Sequence, residues 1–595
     1  MGSWLKAARL VVGVAVKVDP RRALLVLVLA PLFNVVAAAQ AIGLRRMVDG
    51  AAAHRFTDAL AGGLILVLVT VFIHQASAVA TDLRQVLQQR VGLEFDRRLM
   101  ALCSGPSHVG HYQDPEFLDT AELVRQRRTE FGGAFAALVE NAGLFARFAA
   151  AVALIATVSP ILGLLPLCVV PLALAIRRQA NLVTAAEQAG AEDDRRRTAL
   201  LKLATDAAAA PEVRLYRLGA EIAVRHRRAF TAAAYGREAA RARGAVAVTA
   251  GWLLFCAALV AGLGLVTQSV LAGRATAGEA VLVLLLGTRL VGATTGLSWL
   301  IAWLRRSLHT VALYRRLAER SGPDTPAGPF AELPGPGDLV LHGVGFRYPG
   351  ATEPALGPID LRLPAGARVA VVGDNGAGKS TLVALLAGLH PPTEGRITYG
   401  GTDLARIDPQ RWYARTTAVF QDFCRFELLV RESVGVGDLA GLDDRAAVGA
   451  AVDSAGAAGF VAALPEGLDS RLGRTFDGGT DLSSGQWQKL ALARGRMRVT
   501  PALVLLDEPA ASLDPDSEAD LLRRYLAERP AATAPITVVV SHRLTTVRDA
   551  DLIVVLHEGR LAESGTHEEL LGRGGRYATM YALHAAAYQD GGVSA

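Results

Sequence analysis

The residues with the clearest chemistry lie in the C-terminal half of the chain. Gly373-Asp374-Asn375-Gly376-Ala377-Gly378-Lys379-Ser380 has the spacing of a phosphate-binding P-loop. An apolar run, Val369–Val372, precedes it and a helix-compatible run, Ser380–Leu389, follows it, as the motif requires. We expect the loop N–H groups and Lys379 to bind the phosphates of ATP and the Ser380 hydroxyl to bind Mg²⁺. The predicted ATP contacts are Gly373, Asp374, Asn375, Gly376, Ala377, Gly378, Lys379, Ser380 and Thr381.

Two carboxylates and a histidine follow later apolar runs. The first run, Leu503–Leu506, delivers Asp507 and Glu508 to the end of a predicted buried strand. We expect Asp507 to hold Mg²⁺ and Glu508 to polarise the attacking water as a general base. A glutamate at this position favours hydrolysis by the chain itself. His542 follows a third strand, Ile536–Val540, and is predicted to reach the γ-phosphate.

The order of these motifs, with a pentapeptide between them, resembles one family. Leu482-Ser483-Ser484-Gly485-Gln486 is similar to the signature of ATP-binding cassette (ABC) proteins. The resemblance implies that Tyr348 stacks on adenine and that Gln421 senses Mg²⁺ and the membrane domain. It also implies that Asp514 crosses a dimer interface. The whole chain resembles an ABC exporter half-transporter, with an α-helical membrane domain of six transmembrane helices followed by an α/β P-loop NTPase domain of the ABC type.

The resemblance further implies that the signature of one subunit completes the P-loop site of another. Ser483, Ser484, Gly485, Gln486 and Asp514 would then act in trans. The chain holds one copy of each motif, so we expect a homodimer or a heterodimer with a homologue. In a departure from the family pattern, Ser484 replaces a glycine, a change that we expect to be tolerated with an altered ATPase rate. Asp477 stands where many exporters have glutamate.

The N-terminal half is apolar enough to enter a membrane. The mean hydropathy is +0.31, and apolar runs near the length of a bilayer crossing, about 20 residues, recur up to residue 305. The predicted crossings are Ala23–Leu44, Leu60–Ala80, Phe135–Val158, Ile161–Ile176, Val246–Val266 and Ala277–Leu304. Six crossings place both chain ends on one side, which must be cytoplasmic because the other half binds ATP.

Basic residues concentrate in two long polar insertions, Asp82–Ala134 and Arg177–Ala245, which are therefore predicted to be cytoplasmic. Each is helix-compatible with one interruption, at residues 105–115 and at Pro211. We expect Asp114–Asp119 and Pro211–Leu218 to contact the ATPase, although ordinary polar loops would have the same composition. The arginine-rich composition suggests a bacterium with a G- and C-rich genome, and hence the bacterial plasma membrane.

Charged and polar residues inside the predicted crossings are candidates for a substrate cavity: Arg147, Arg289 and His74. Two arginines would favour an anionic or carboxylate-bearing substrate. The alternatives are that Arg147 extends to the membrane surface and that Arg289 pairs with another helix.

The predicted domains are a transmembrane domain (1–320) with two cytoplasmic helical extensions, a Pro- and Gly-rich linker (321–337) and a nucleotide-binding domain (338–595). The four cysteines lack metal-site or disulfide spacing. The N-terminus lacks the pattern of a removable signal peptide, and no cysteine-protease domain is expected before the first crossing.

The predicted function is ATP-driven export of an amphipathic small molecule, lipid or peptide by alternating access. Import of a siderophore-like substrate on the same fold is left open, since the motifs do not give direction. An ATP-gated channel or regulatory subunit is disfavoured by the complete catalytic set. Six crossings exclude a soluble ABC protein acting on ribosomes or DNA, and no nucleic-acid partner is expected.

Overall fold

The computed structural model describes residues 2–36, 39–320, 329–509, 534–541 and 547–590, with side chains for most of them. Within these ranges the chain divides into two compact units. The first comprises residues 1–102 and 120–318, and the second comprises residues 103–119 and 319–595. The second unit thus takes in a short segment from the N-terminal half of the sequence.

The N-terminal half is helical. Its helices are α1 (Gly2–Val18), α2 (Pro20–Val36), α3 (Ala39–Ala52), α4 (Phe56–Ser104), α5 (Pro115–Gln126), α6 (Arg128–Val158), α7 (Leu165–Ala189), α8 (Ala191–Thr205), α9 (Ala210–Leu215), α10 (Gly219–Leu271) and α11 (Ala277–Arg320). α4 and α10 have 49 and 53 residues, far more than a bilayer crossing needs, so each predicted cytoplasmic insertion continues a membrane helix.

Five stretches of the described chain are long and apolar enough to cross a membrane: Pro20–Ala52, Phe56–Ser104, Gly133–Val158, Leu162–Ala189 and Gly219–Leu271. Each contains or overlaps one of the first five predicted crossings. The sixth predicted crossing begins together with α11 at Ala277, and many of its side chains lie outside the described residues. The helices of this unit pack closely against one another. A Cβ on Gly251 of α10 would lie 2.9 Å from the Cα of Leu172 in α7, so a small residue is needed there.

The predicted interruption of the first insertion is confirmed between α4 and α5, where residues 105–114 are irregular apart from one 3₁₀ turn, Gly110–Gln113. The expectation of a single interruption is wrong, because Arg127 also separates α5 from α6. The single interruption predicted at Pro211 is wrong in two ways. Gly190 separates α7 from α8, and the turn before α9 lies at residues 206–209. Pro211 instead occupies the first turn of α9, where its missing N–H costs no helical hydrogen bond.

The second unit contains two sheets. Their strands are β1 (Leu339–Phe346), β2 (Leu356–Leu363), β3 (Arg368–Gly373), β4 (Glu394–Tyr399), β5 (Thr402–Asp403), β6 (Thr416–Val419), β7 (Leu503–Asp507), β8 (Ile536–Val540), β9 (Leu552–His557) and β10 (Arg560–Gly565). A four-stranded antiparallel sheet has the order β2-β1-β4-β5, and a six-stranded sheet has the order β10-β9-β3-β8-β7-β6. All pairs from β9 to β6 in the second sheet are parallel.

Helices cover this second sheet. They are α12 (Lys379–Leu386), α13 (Pro409–Arg415), α14 (Val430–Gly435), α15 (Arg445–Ser454), α16 (Ala458–Ala462), α17 (Ser484–Arg496), α18 (His567–Arg573) and α19 (Arg576–Asp590). The predicted linker falls between α11 and β1, where residues 329–338 have little regular structure and residues 321–328 lie outside the described chain.

The parallel strands are buried on both faces. In β7, Leu503 and Leu505 pack into the core between the two sheets, whereas Val504 and Leu506 pack against α14, α15 and α17. Continuous apolar strands are typical of a parallel sheet that helices or another sheet cover on each side. This explains why the sequence around Asp507 lacks the alternation of a half-exposed strand.

One arginine joins the helices of the second core. Arg494 of α17 donates from Nε to the carbonyl of Ser433 at 2.9 Å and from Nη1 to the carbonyl of Cys424 at 3.3 Å. Its guanidinium lies 4.4 Å from the centre of the Phe426 ring. Burial lowers the pKa of Arg494 to about 10. The guanidinium therefore connects α17 to α14 and to the segment before it.

Arg494→Ala is expected to lower the thermal unfolding temperature of the purified full chain by about 5–10 °C, because buried carbonyls lose their charged donors. Arg445→Ala is the matched control, since Arg445 forms an exposed ion pair with Asp469 and such pairs contribute little. Scanning fluorimetry in nanodiscs measures both. Equal shifts for the two variants would contradict the role assigned to Arg494.

Candidate ATP-binding site

The P-loop turns tightly between β3 and α12. Gly376 and Gly378 have φ of +79° and +93°, a conformation that favours glycine. A Cβ on Gly378 would also lie 2.8 Å from the carbonyl oxygen of Ala355. The predicted helix Ser380–Leu389 begins one residue earlier, at Lys379, and ends at Leu386. The loop therefore leads into a helix N-terminus, whose free N–H groups and positive dipole end favour a phosphate.

Lys379 is 7% exposed, and its Nζ donates to the carbonyls of Gly373 and Asp374, both at 2.9 Å. Burial lowers the pKa of Lys379, and the nearby carboxylates of Glu508, Asp507 and Asp374 oppose that shift. The lysine and the two predicted catalytic carboxylates therefore lie within electrostatic range of one another.

Strand register brings these groups to one edge of the sheet. Val371 of β3 lies opposite Val540 of β8, which lies opposite Asp507 of β7. Ser541, the residue after β8, donates its N–H to Val371 O at 3.4 Å, and Glu508 donates its N–H to Val540 O at 3.1 Å. All three strands are parallel, so the P-loop, Asp507–Glu508 and the segment starting at Ser541 leave the sheet at the same edge.

Glu508 is half-buried and has φ of +49°, which is uncommon for a residue with a side chain. Asp507 is 3% exposed at the end of β7. A buried carboxylate and the Ser380 hydroxyl are hard oxygen ligands of the kind that Mg²⁺ prefers. The donor set therefore fits the predicted metal.

Tyr348 lies beside the P-loop helix. Its hydroxyl is 3.0 Å from Thr381 Oγ1, and its ring packs edge-on against Phe346 and His390, with centroids 4.9 and 5.9 Å apart. The half-buried ring is thus in direct contact with Thr381, the last of the predicted ATP contacts.

Gln421 follows the outer parallel strand, β6. Val419 pairs with Leu506 of β7, so Gln421 and Glu508 stand at equivalent positions two residues beyond paired residues. Gln421 is exposed. His542 and Asp514 lie outside the described residues.

The signature pentapeptide forms the exposed start of α17. Ser483 is the N-cap: its Oγ accepts from the N–H of Gln486 at 3.3 Å, and Gln486 Oε1 accepts from the N–H of Ser483 at 2.9 Å. Leu482 and Trp487, on either side, are buried. Buried flanks hold Ser483 and Ser484 on the surface, where a second molecule can reach them.

The segment before α5 makes contacts within the second unit. The N–H of Val109 donates to Leu389 O at 2.9 Å, and Gln113 Nε2 lies 3.1 Å from His390 Nε2. Burial lowers the pKa of His390, and His108 lowers it further. Residues 107–113 thus hydrogen-bond to the ATPase, and the predicted segment 114–119 belongs to the same compact unit.

Asp114 and Glu116 bind Arg320 instead, at 3.3 and 2.6 Å. The corresponding role of Pro211–Leu218 stays a prediction.

The candidate cavity residues of the first unit lie on three helices, α4, α6 and α11, and Gln40 of α3 contacts one of them. Arg289 of α11 donates to Gln40 Oε1 of α3, and Gln40 Nε2 donates to Thr70 Oγ1 of α4 at 2.9 Å. His74 is exposed one helical turn after Thr70, on the same side of α4. Arg147 of α6 interacts electrostatically with Arg289, and its buried Nε has no hydrogen-bond partner among the described residues.

Sequence reasoning missed one contact of the P-loop. Arg576, at the start of α19, donates from Nη2 to Asp374 Oδ2. The two residues are 202 positions apart, and no motif connects them.

Comparison with known proteins agrees with this geometry. Residues 356–511 match the ABC transporter family. An ATP-dependent lipid A-core flippase of Cupriavidus pinatubonensis is 41% identical over 253 residues, which are 42% of each chain. A mycobactin import ATP-binding/permease protein, IrtB, of Mycolicibacterium smegmatis is 33% identical over 339 residues, covering 55% of this chain and 56% of that protein. The chain thus spans about half or less of the length of these relatives.

A solved structure of a bacterial Atm1-family ABC exporter with ATP bound is similar over nearly the whole length. The match covers 96% of this chain and 99% of the other, with 26% identity and a TM-score of 0.74. It therefore includes the helical half as well as the ATP-binding half. Residues 356–511 thus match the ABC transporter family, and the chain as a whole is similar to an ABC exporter half-transporter, in which a helical domain precedes one nucleotide-binding domain.

Proposed function

We propose that this protein uses ATP hydrolysis to export an amphipathic compound across the bacterial plasma membrane. The observation that carries the proposal is the shared sheet edge at which the P-loop leaves β3 and Asp507 and Glu508 leave β7, with the parallel strand β8 between them. The same chain carries helices that are long and apolar enough to cross a membrane, so we propose that hydrolysis drives transport across it.

In the proposed reaction, the N–H groups from Gly373 to Thr381 and the ammonium of Lys379 hold the phosphates. Tyr348 stacks on adenine. Glu508 accepts a proton from the attacking water as the water oxygen bonds to the γ-phosphorus. The bond between that phosphorus and the bridging oxygen breaks, ADP leaves, and His542 orients the γ-phosphate. Mg²⁺, held by Asp507 and Ser380 with Gln421 near it, would offset the negative charge on the phosphate oxygens.

We propose that a second chain completes the site, because Ser483 and Ser484 at the start of α17 are exposed and accessible to a partner. Ser483, Ser484, Gly485, Gln486 and Asp514 of one chain would contact ATP on the other. Both a homodimer and a heterodimer fit the complete catalytic set. ATP would draw the two cytoplasmic domains together, and the segment at residues 107–113 would transmit that motion to the membrane helices.

The proposed domains keep the boundaries 1–320, 321–337 and 338–595, with the nucleotide-binding domain and both termini in the cytoplasm. The charge distribution of the two long insertions supports this orientation.

Import is a second candidate, favoured by the similarity to the mycobactin importer. The flippase and the Atm1-family exporter support export. A channel or regulatory subunit is less compatible with an intact Glu508, since gating needs ATP binding but not hydrolysis.

The proposed substrate site is the polar cluster of Arg147, Arg289 and His74 with Gln40 and Thr70. Two guanidinium groups that interact with each other within a membrane domain repel, and an anionic group between them would remove that repulsion. An amphipathic carboxylate or phosphate is therefore the substrate class that suits the cluster.

Glu508→Gln is expected to lower Mg²⁺-dependent ATPase activity of the chain, purified alone in lipid nanodiscs, by at least about 100-fold, because the attacking water loses its base. ATP binding should persist, since the amide keeps the size of the side chain. Phosphate release and binding of a fluorescent ATP analogue measure the two effects.

Glu427→Gln is a matched control that changes a glutamate outside the proposed reacting groups. Turnover of Glu508→Gln close to that of the unmutated chain would refute the role of Glu508. If the unmutated chain binds ATP without hydrolysing it, a missing partner chain or the non-pumping alternative is indicated.

Arg289→Ala is expected to reduce the ratio of stimulated to basal ATPase activity with carboxylate-bearing amphiphiles, because it removes one of the two cations. Methyl esters of the same compounds test the requirement for charge. Arg225→Ala, which removes an exposed arginine paired with Glu221, should leave the ratio unchanged. Equal stimulation by acids and esters, or an unchanged ratio in Arg289→Ala, would show that Arg289 is structural.

A further inference from the structure

The P-loop carries a negatively charged side chain. The carbonyl of Asp374 accepts from Lys379 Nζ at 2.9 Å and from the N–H of Ala377 at 3.2 Å, so this residue is part of the loop framework. Its carboxylate is 55% exposed. The loop binds anions through N–H groups and a lysine. A negative charge on the same loop weakens its attraction for those anions.

A cation from a distant element faces this carboxylate. Arg576 Nη2 donates to Asp374 Oδ2, and His557 Nδ1 lies 3.5 Å from the same oxygen. The Arg576 guanidinium lowers the pKa of Asp374. Asp374 is therefore ionised at neutral pH, and pairing rather than protonation must offset its charge.

The start of α19 is fixed by contacts that do not involve the Arg576 side chain. Glu563 accepts from the backbone N–H groups of Arg576 and Tyr577, at 2.6 and 3.1 Å. Tyr577 is fully buried, and its hydroxyl lies 2.7 Å from His567 Nδ1. Burial raises the pKa of Tyr577 to about 12.

Tyr577 belongs to the core on one face of β3, with Ala370 and Val372. The strand that leads into the P-loop and the helix that presents Arg576 thus share one core. Truncating the Arg576 side chain leaves the backbone anchors and this core in place, so the variant is expected to fold.

We propose that Arg576 is a positioning residue for ATP: it holds and neutralises Asp374, so that the P-loop presents a net attractive field to the phosphates. The C-terminal helix thereby sets the affinity of the site for ATP. This inference rests on the proposed ATPase function.

The test is a double-mutant cycle on the full chain in nanodiscs, with Arg576→Ala, Asp374→Asn and the double variant. Arg576→Ala is expected to raise KM for ATP about three- to tenfold, with kcat changed less than about twofold, because an uncompensated charge opposes nucleotide binding. Asp374→Asn is expected to have a KM at or below that of the unmutated chain. In its background, Arg576→Ala should have little effect on KM.

Two further measurements separate charge from structure. Arg576→Lys should restore most of the affinity, since it keeps the charge. The KM difference between Arg576→Ala and the unmutated chain should shrink as salt is raised from about 0.05 to 0.5 M, because exposed charges are screened. Arg573→Ala, which removes a neighbouring arginine bonded to Ser564 O at 2.9 Å, should leave KM unchanged.

The inference is overturned if Arg576→Ala leaves KM unchanged, or if it raises KM equally with Asp374 and with Asn at that position, since Arg576 would then act without Asp374. Failure of the unmutated chain to bind a methylanthraniloyl-ATP analogue would instead refute the proposed function.

Discussion

The register of the parallel sheet is the constraint on which the rest of the ATP site depends. β3, β8, β7 and β6 run in one direction, and their paired residues align Val371, Val540, Asp507 and the end of β6. Neighbouring strands are about 4.8 Å apart, so groups that follow the strands come within reach of one triphosphate. A shift of one residue in β7 would turn Asp507 to the other face of the sheet. The hydrogen-bonded pairing of β7 with β6 and β8 holds it in the observed register.

The same sheet separates two sets of tasks. One face packs on the antiparallel sheet, which places Tyr348 beside the P-loop helix. The other packs on α14, α15 and α17, whose buried residues hold the signature serines at an exposed helix start. The predicted phosphate-binding residues therefore follow the strands, while the signature serines lie at the start of a helix in the helical layer. This division suits the proposed closure of the site by a second nucleotide-binding domain.

Charge near the phosphates is balanced by residues that come from far along the chain. Lys379 is buried among backbone carbonyls and lies within electrostatic range of Asp507 and Glu508. Solvent therefore screens its charge only weakly. Asp374 adds a negative charge to the loop, and Arg576 of α19 forms an ion pair with it. Near the same site, Gln113 contacts His390, whose ring packs against Tyr348. The predicted base-binding residue and the segment that leads from α4 are thus two contacts apart.

The sequence by itself determined the nucleotide chemistry and the apolar character of the N-terminal half. A P-loop needs glycines at positive φ and a lysine at fixed spacing, so Gly376, Gly378 and Lys379 identify it within a single local segment. Apolar run length likewise predicts the membrane helices, since each satisfies its backbone hydrogen bonds internally. Local patterns also indicated the break before α5, but they misplaced the break at Pro211, because a proline fits the first turn of a helix as well as a bend.

Only the tertiary structure decided which distant residues meet. The pairs Arg576–Asp374, Gln113–His390 and Arg289–Gln40 join elements that are far apart in sequence, and no spacing rule connects them. The partners of the segment before α5 were hidden for the same reason: the N–H of Val109 donates to Leu389 O, whereas Asp114 and Glu116 pair with Arg320. Short-range spacing specifies chemistry, whereas charge partners are selected by how strands and helices pack.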